Sequence, residues 1–196
     1  MKILALATIV AVAGQASARN IEIPRETHIP VCMESVNSRD WVALIQAKGL
    51  ASKMFAAADV TIDWRSWNAC PADGIRVALS NHTAESDHPH SYAYAMPIEG
   101  IHIVLFWDRI ADAAGPITLP FLVAHVLVHE VTHILEGVSR HSNTGVMKAA
   151  FTTLDIGEMR HQGLPFAAED LQLIHLGMKV RQTRMERPAG RPISSE

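Results

Sequence analysis

Residues 129–133 of the chain read His-Glu-Val-Thr-His. On a helix, positions i and i+4 share a face with their Cβ atoms about 6 Å apart, so His129 and His133 can reach one metal ion. Glu130 is turned about 100° from His129, which directs its carboxylate towards a water on that ion and away from the ion itself. Zinc suits such a site: imidazole binds it, and it lowers the pKa of its water to about 7 while polarising a carbonyl. A carboxylate beside that water can take its proton and pass it to a leaving amine.

A catalytic zinc site wants three protein ligands and an open position. The chain continues Ile134-Leu135-Glu136-Gly137-Val138-Ser139-Arg140-His141-Ser142, then reaches Gly145-Val146-Met147. Gly137 can take the left-handed conformation that ends a helix and turns the chain back. Four residues later, His141 comes within reach of the same metal.

These residues resemble the metzincin clan of zinc endopeptidases, and within it the matrixins. The clan's motif is His-Glu-x-x-His-x-x-Gly-x-x-His, followed by a tight turn with a methionine beneath the zinc. His129, Glu130 and His133 match it in register; Gly137 is displaced by one residue and His141 by two, which a longer helix and a wider turn accommodate. His141-Ser142 is similar to the matrixin His-Ser pair, and Gly145-Val146-Met147 to the Met-turn. Tyr92-Ala93-Tyr94-Ala95-Met96-Pro97 resembles the matrixin edge strand, which runs antiparallel to bound substrate. Phe166 to Gly177 fits the clan's last helix.

The resemblance implies a metzincin-like α/β fold: a twisted, mostly parallel sheet with an antiparallel edge strand, an active-site helix and a small C-terminal helical lobe. It implies one catalytic Zn2+ held by His129, His133 and His141, with Glu130 as general base and Met147 in the Met-turn. It implies a peptide or protein substrate lying along Tyr92, Ala93, Tyr94, Ala95 and Met96, paired through backbone hydrogen bonds. The matrixins' cysteine-switch pro-domain and their structural zinc and calcium motifs are not recognisable, and Lys148-Ala149 follows Met147 where some clan members carry a ligating tyrosine.

Two other readings compete. In gluzincin-type peptidases a later glutamate completes the site, and Glu158 or Glu169 could do so. In a non-catalytic secreted zinc protein the ion would have four protein ligands and no open position. Glu130 would then be without use.

Several elements must position these residues. A short apolar run at 29–35 predicts a first strand. From Trp41 to Ala58, apolar residues recur at three- and four-residue steps behind Asp40, predicting a capped amphipathic helix. Strands are expected at Val60–Trp64, Ile75–Ser80, Tyr92–Met96 and Ile101–Trp107, with a polar loop at Asn81–Ser91. Thr118 is placed to cap the motif helix, with Pro120 tolerated in its first turn and Gly137 at its end. A last helix is expected from Leu164 to about Arg181. The order is β-α-β-β-β-β-α-α, an α/β sheet followed by helices.

The 196 residues suit a single domain, and 48% hydrophobic content excludes wholesale disorder. A net charge of −3 argues against an electrostatic nucleic-acid binder. Lys2, the apolar run Ile3 to Ala13 and Ala16-Ser17-Ala18 read as a secretory signal over residues 1–18, cleaved before Arg19. The metallopeptidase domain is then expected over 19–187, its upper lobe reaching about 137 and its lower lobe 138–187, with a flexible tail at 188–196. A secreted or periplasmic monomer follows, with no stable membrane insertion. In an oxidising compartment the two cysteines, Cys32 and Cys70, are expected to form a disulfide, with two buried thiols as the alternative. Of the eleven histidines, His125 lies one turn before His129 and reads as a support or as buried. His88 and His90, with Asp87, could bind a second metal, but a solvated loop is the better reading.

Overall fold

In a computed structural model, residues 28–35, 37, 40–86 and 88–186 are described; the expected signal segment, the tail at 188–196 and Asp87 lie outside them. The chain runs β1 (His28–Met33), α1 (Trp41–Ala56), β2 (Thr61–Ser66), a 3-10 turn (Trp67–Ala69), β3 (Ile75–Ser80), β4 (Ala93–Ala95) and β5 (His102–Phe106). It continues through α2 (Trp107–Ala113), α3 (Leu119–Glu136), α4 (Thr153–Met159) and α5 (Ala168–Glu186). The sheet has strand order β2-β1-β3-β5-β4. Four strands run parallel, and β4 pairs antiparallel with β5 at the edge. The fold is the mixed α/β one with a mostly parallel sheet.

Strands β1, β3 and β5 supply the buried aliphatic residues Val31, Ile75, Val77, Ile103 and Leu105. Helix α1 lays Leu44, Ala47, Ala51 and Phe55 into the same core at three- and four-residue steps. Every residue of α3 except Phe121 is buried. By length and composition alone α3 could cross a membrane, but 94% of it is buried inside the fold, where it is the central core helix.

Two expected caps are not made. Asp40 and Thr118 sit at the N-caps of α1 and α3 in the helical region, with no capping bond from either side chain. Asp40 instead accepts a bond from the Trp107 indole Nε1 at 3.2 Å. A tertiary partner outcompeted the local one. Trp107 itself begins α2 instead of ending β5. Helix α4 is also additional to the expected set; Thr152 and Asp155 close a reciprocal capping box at its start. Helix α5 begins at Ala168 rather than Leu164, because Leu164 and Pro165 are bonded elsewhere: Leu164 N–H donates to His125 Nε2, and Pro165 C=O accepts from Val146 N–H.

α5 packs against the end of α3 at Gly177, where a Cβ would run into the Leu135 carbonyl oxygen. Cys32 and Cys70 are bonded, with Cα atoms 5.6 Å apart across 38 residues of sequence. The bond ties β1 to the segment that leaves β2.

Candidate metal centre

Helix α3 presents His129, Glu130 and His133 at its C-terminal half, all buried. Gly137 then takes φ 71° and ψ 19° and donates its N–H to the His133 carbonyl at 3.0 Å, ending the helix in the left-handed cap that glycine favours. The chain turns back and brings His141 to the helix. Potential ligand nitrogens of His129, His133 and His141 lie within 4.8 Å of one another. Among the described residues no other cluster of three such groups meets this geometry.

Hydrogen bonds fix which nitrogens face the centre. His129 Nδ1 lies 2.9 Å from the Val146 carbonyl oxygen, and His133 Nδ1 lies 3.2 Å from that of Val138. A carbonyl can only accept, so each Nδ1 carries the proton and each Nε2 keeps a lone pair. The two Nε2 atoms face each other at 3.0 Å. Two lone pairs at that distance repel unless a cation lies between them. The chemistry of the donor set therefore fits a borderline metal such as zinc. Burial pushes the His133 imidazolium pKa down to about 3, with the charges of His129 and His141 adding to it. Burial also lowers His129 and His141. All three rings are held neutral, the ligating form. His141 is the exposed member of the three, so the cluster opens to solvent on one side.

Glu130 is buried, and no described residue hydrogen-bonds to its carboxylate. Burial alone pushes its pKa up to about 8, and a cation beside it opposes that shift. The chain turns again at Gly145-Val146-Met147. Gly145 has φ +77°, and a Cβ there would run into the Pro165 carbonyl oxygen. Ser142 N–H donates to the Met147 carbonyl at 2.8 Å, and Met147 is wholly buried.

The remaining candidates separate clearly. His125 uses both ring nitrogens, Nδ1–H donating to Phe121 C=O at 2.7 Å and Nε2 accepting from Leu164 N–H at 3.0 Å, so it braces α3 and ligates nothing. Glu158 and Glu169, the gluzincin-type alternatives, do not join the cluster. Glu169 is engaged by Arg140 at 2.8 Å. His88 stacks on the Tyr94 ring at 4.3 Å between centroids.

Among the described residues strand β4 has one partner, β5. Tyr92 C=O and Met96 N–H are bonded to β5, at 2.8 Å and 2.9 Å. The two-residue alternation of an antiparallel pair then turns the N–H and C=O of Ala93 and Ala95 to the open edge.

A group that the sequence did not single out lies beside His141. Arg140 donates from Nη1 to Asp170 Oδ1 at 2.9 Å and from Nη2 to Ser142 Oγ at 3.1 Å. Ser142 Oγ also bonds Asp170 Oδ1, and Asp170 Oδ2 accepts from Ala167 N–H at 2.9 Å. Glu136 is buried 3.8 Å from Arg140, and burial pushes its pKa up to about 7. In sequence, Asp170 reads only as an acid in a helix's first turn; the extra residues before His141 were the one available signal.

No protein-family model matches the chain, and no curated protein matches it by sequence. Solved structures do match it by fold. Archaemetzincin from Methanopyrus kandleri is similar with a TM-score of 0.57, over 80% of this chain and 99% of its own, at 15% identity. At that identity the likeness is one of fold. It bears on the metzincin-like architecture and leaves the narrower matrixin resemblance to the residues that suggested it.

Proposed function

We propose that the chain is an exported zinc-dependent endopeptidase in which His129, His133 and His141 hold one ion and Glu130 is the general base. The observation that carries this reading is the pair of imidazoles whose Nδ1 atoms are tied to backbone carbonyls while their Nε2 atoms face one another beside His141. Zinc bound there supplies a Lewis acid for the substrate carbonyl and brings the pKa of its water to about 7. Glu130 takes a proton from the attacking water on its carboxylate and returns it to the leaving nitrogen. Among the described residues no partner competes for its carboxylate, which keeps both oxygens available for that transfer.

An extended substrate adds to the sheet at β4, bonding the outward N–H and C=O groups of Ala93 and Ala95, with Tyr92, Tyr94 and Met96 offering side chains. An edge strand that takes a chain along its length suits cleavage within a polypeptide. The Cys32–Cys70 bond supports an oxidising compartment, and with it the exported reading of residues 1–18. The matrixin-like site residues and a monomeric state complete the proposal. A structural zinc protein is the weaker alternative, since among the described residues the cluster has three members and not four.

Purified protein is expected to cleave unfolded casein, to stop when a chelator strips the metal, and to recover with added zinc. Cleavage that ignores the chelator, or none at all with zinc bound, contradicts the proposal.

A further inference from the structure

His129 and His133 each have a ring nitrogen bonded to a backbone carbonyl, which fixes how the ring faces the centre. Among the described residues His141 has no such bond: its ring contacts are with the other two histidines, at centroid distances of 5.2 and 5.1 Å. It lies on a loop, is exposed, and must still meet a point set by a rigid helix. Its two chain neighbours are held differently. Arg140 and Ser142 flank it in sequence, and both side chains converge on one carboxylate, that of Asp170. That carboxylate is wholly buried, in the first turn of α5, and is itself fixed by the Ala167 N–H. Arg140 also reaches Glu169 on the same turn.

We infer that Asp170 is a positioning residue for the third ligand, clamping the loop through Arg140 and Ser142 so that His141 meets His129 and His133. This inference rests on the reading that the three histidines hold a metal. It also accounts for the displaced histidine. A loop lengthened before its ligand loses precision, because each added residue adds freedom. Here one of the added positions is spent on an arginine whose fork suits bidentate and branched contacts to carboxylates. α5, packed on α3 at Gly177, then transmits the helix's rigidity to the loop. Changing a partner that orients a metal ligand typically costs about 10–100-fold in metal affinity.

Zinc affinity measured by competition with a chromogenic chelator tests this without recourse to activity. Asp170→Asn is expected to weaken zinc binding about 10–100-fold. In a His141→Ala background the same substitution is expected to change affinity less than about 2-fold, because the residue it positions is already gone. An equal loss in both backgrounds would make Asp170 a support of the whole fold, and no loss in either would remove it altogether; both outcomes overturn the inference. With cobalt in place of zinc, the visible bands of Asp170→Asn should move towards those of His141→Ala; unchanged bands overturn it too. Should Asp170→Asn not fold, the Arg140→Gln/Ser142→Ala pair runs the same cycle with the same expected non-additivity. Zinc affinity untouched by His141→Ala would instead sink the three-histidine reading, and this inference with it.

Discussion

Glu130→Gln is expected to lower kcat for peptide cleavage about 10²–10⁴-fold while zinc stays bound at one equivalent. Glutamine matches the shape of the side chain and adds no charge to a buried position, so the core around α3 remains packed. What it lacks is an oxygen that can accept a proton and release it. Glu130 is no ligand in the proposed site, so zinc content should not fall. Stopped cleavage assays and metal analysis on the same preparation check both halves. Retained cleavage would remove the general base from the mechanism; loss of zinc would make Glu130 a ligand.

The largest expected effect on stability lies elsewhere in the chain. Cys32→Ala/Cys70→Ala opens a loop spanning 38 residues, which by chain entropy costs about 4 kcal/mol. Cys32 is wholly buried in β1 between β2 and β3, so the variant loses the tether between the centre of the sheet and the end of β2. Urea midpoints of the variant, and of the parent with reductant, should fall together. The histidines are carried by α3 and the loop after it, so zinc affinity of the folded variant should match that of the parent. An unchanged midpoint would contradict the structural role of the bond.

The site was legible in the sequence where its determinants are local. His129, Glu130 and His133 share one helix, and Gly137 ends it through a conformation that its own chemistry favours. β2 and β3 announced themselves by alternation, β1 by a short apolar run, and β4 by the short apolar-and-aromatic run before Pro97. Legibility failed where distance in sequence separates the partners. Asp170 meets Arg140 across 30 residues, and nothing near either residue encodes the pairing. The same reason explains the caps: Asp40 has the side chain to cap α1 but binds Trp107, 67 residues away. Helices α2 and α4, seven residues each, make only two turns, too few for a periodic apolar pattern to declare itself. At Trp107 the apolar run passes from strand to helix without a break, so the boundary left no mark. Thr152-x-x-Asp155 was a readable start signal for α4, with aspartate where glutamate is usual.

The displaced Gly137 and His141 have a structural path that still ends at the cluster. α3 runs to Glu136 before its glycine, and the loop then spends Val138 on a carbonyl for His133 and Arg140 on α5. His141 arrives at the same cluster by a longer path.

Zinc content of the purified protein beside His141→Ala and Glu158→Ala tests the three-histidine centre most directly. The predicted result is one zinc per chain in the parent and in Glu158→Ala, with the metal lost or readily stripped in His141→Ala. Zinc held firmly by His141→Ala and lost from Glu158→Ala, or a folded parent that binds none, would contradict it.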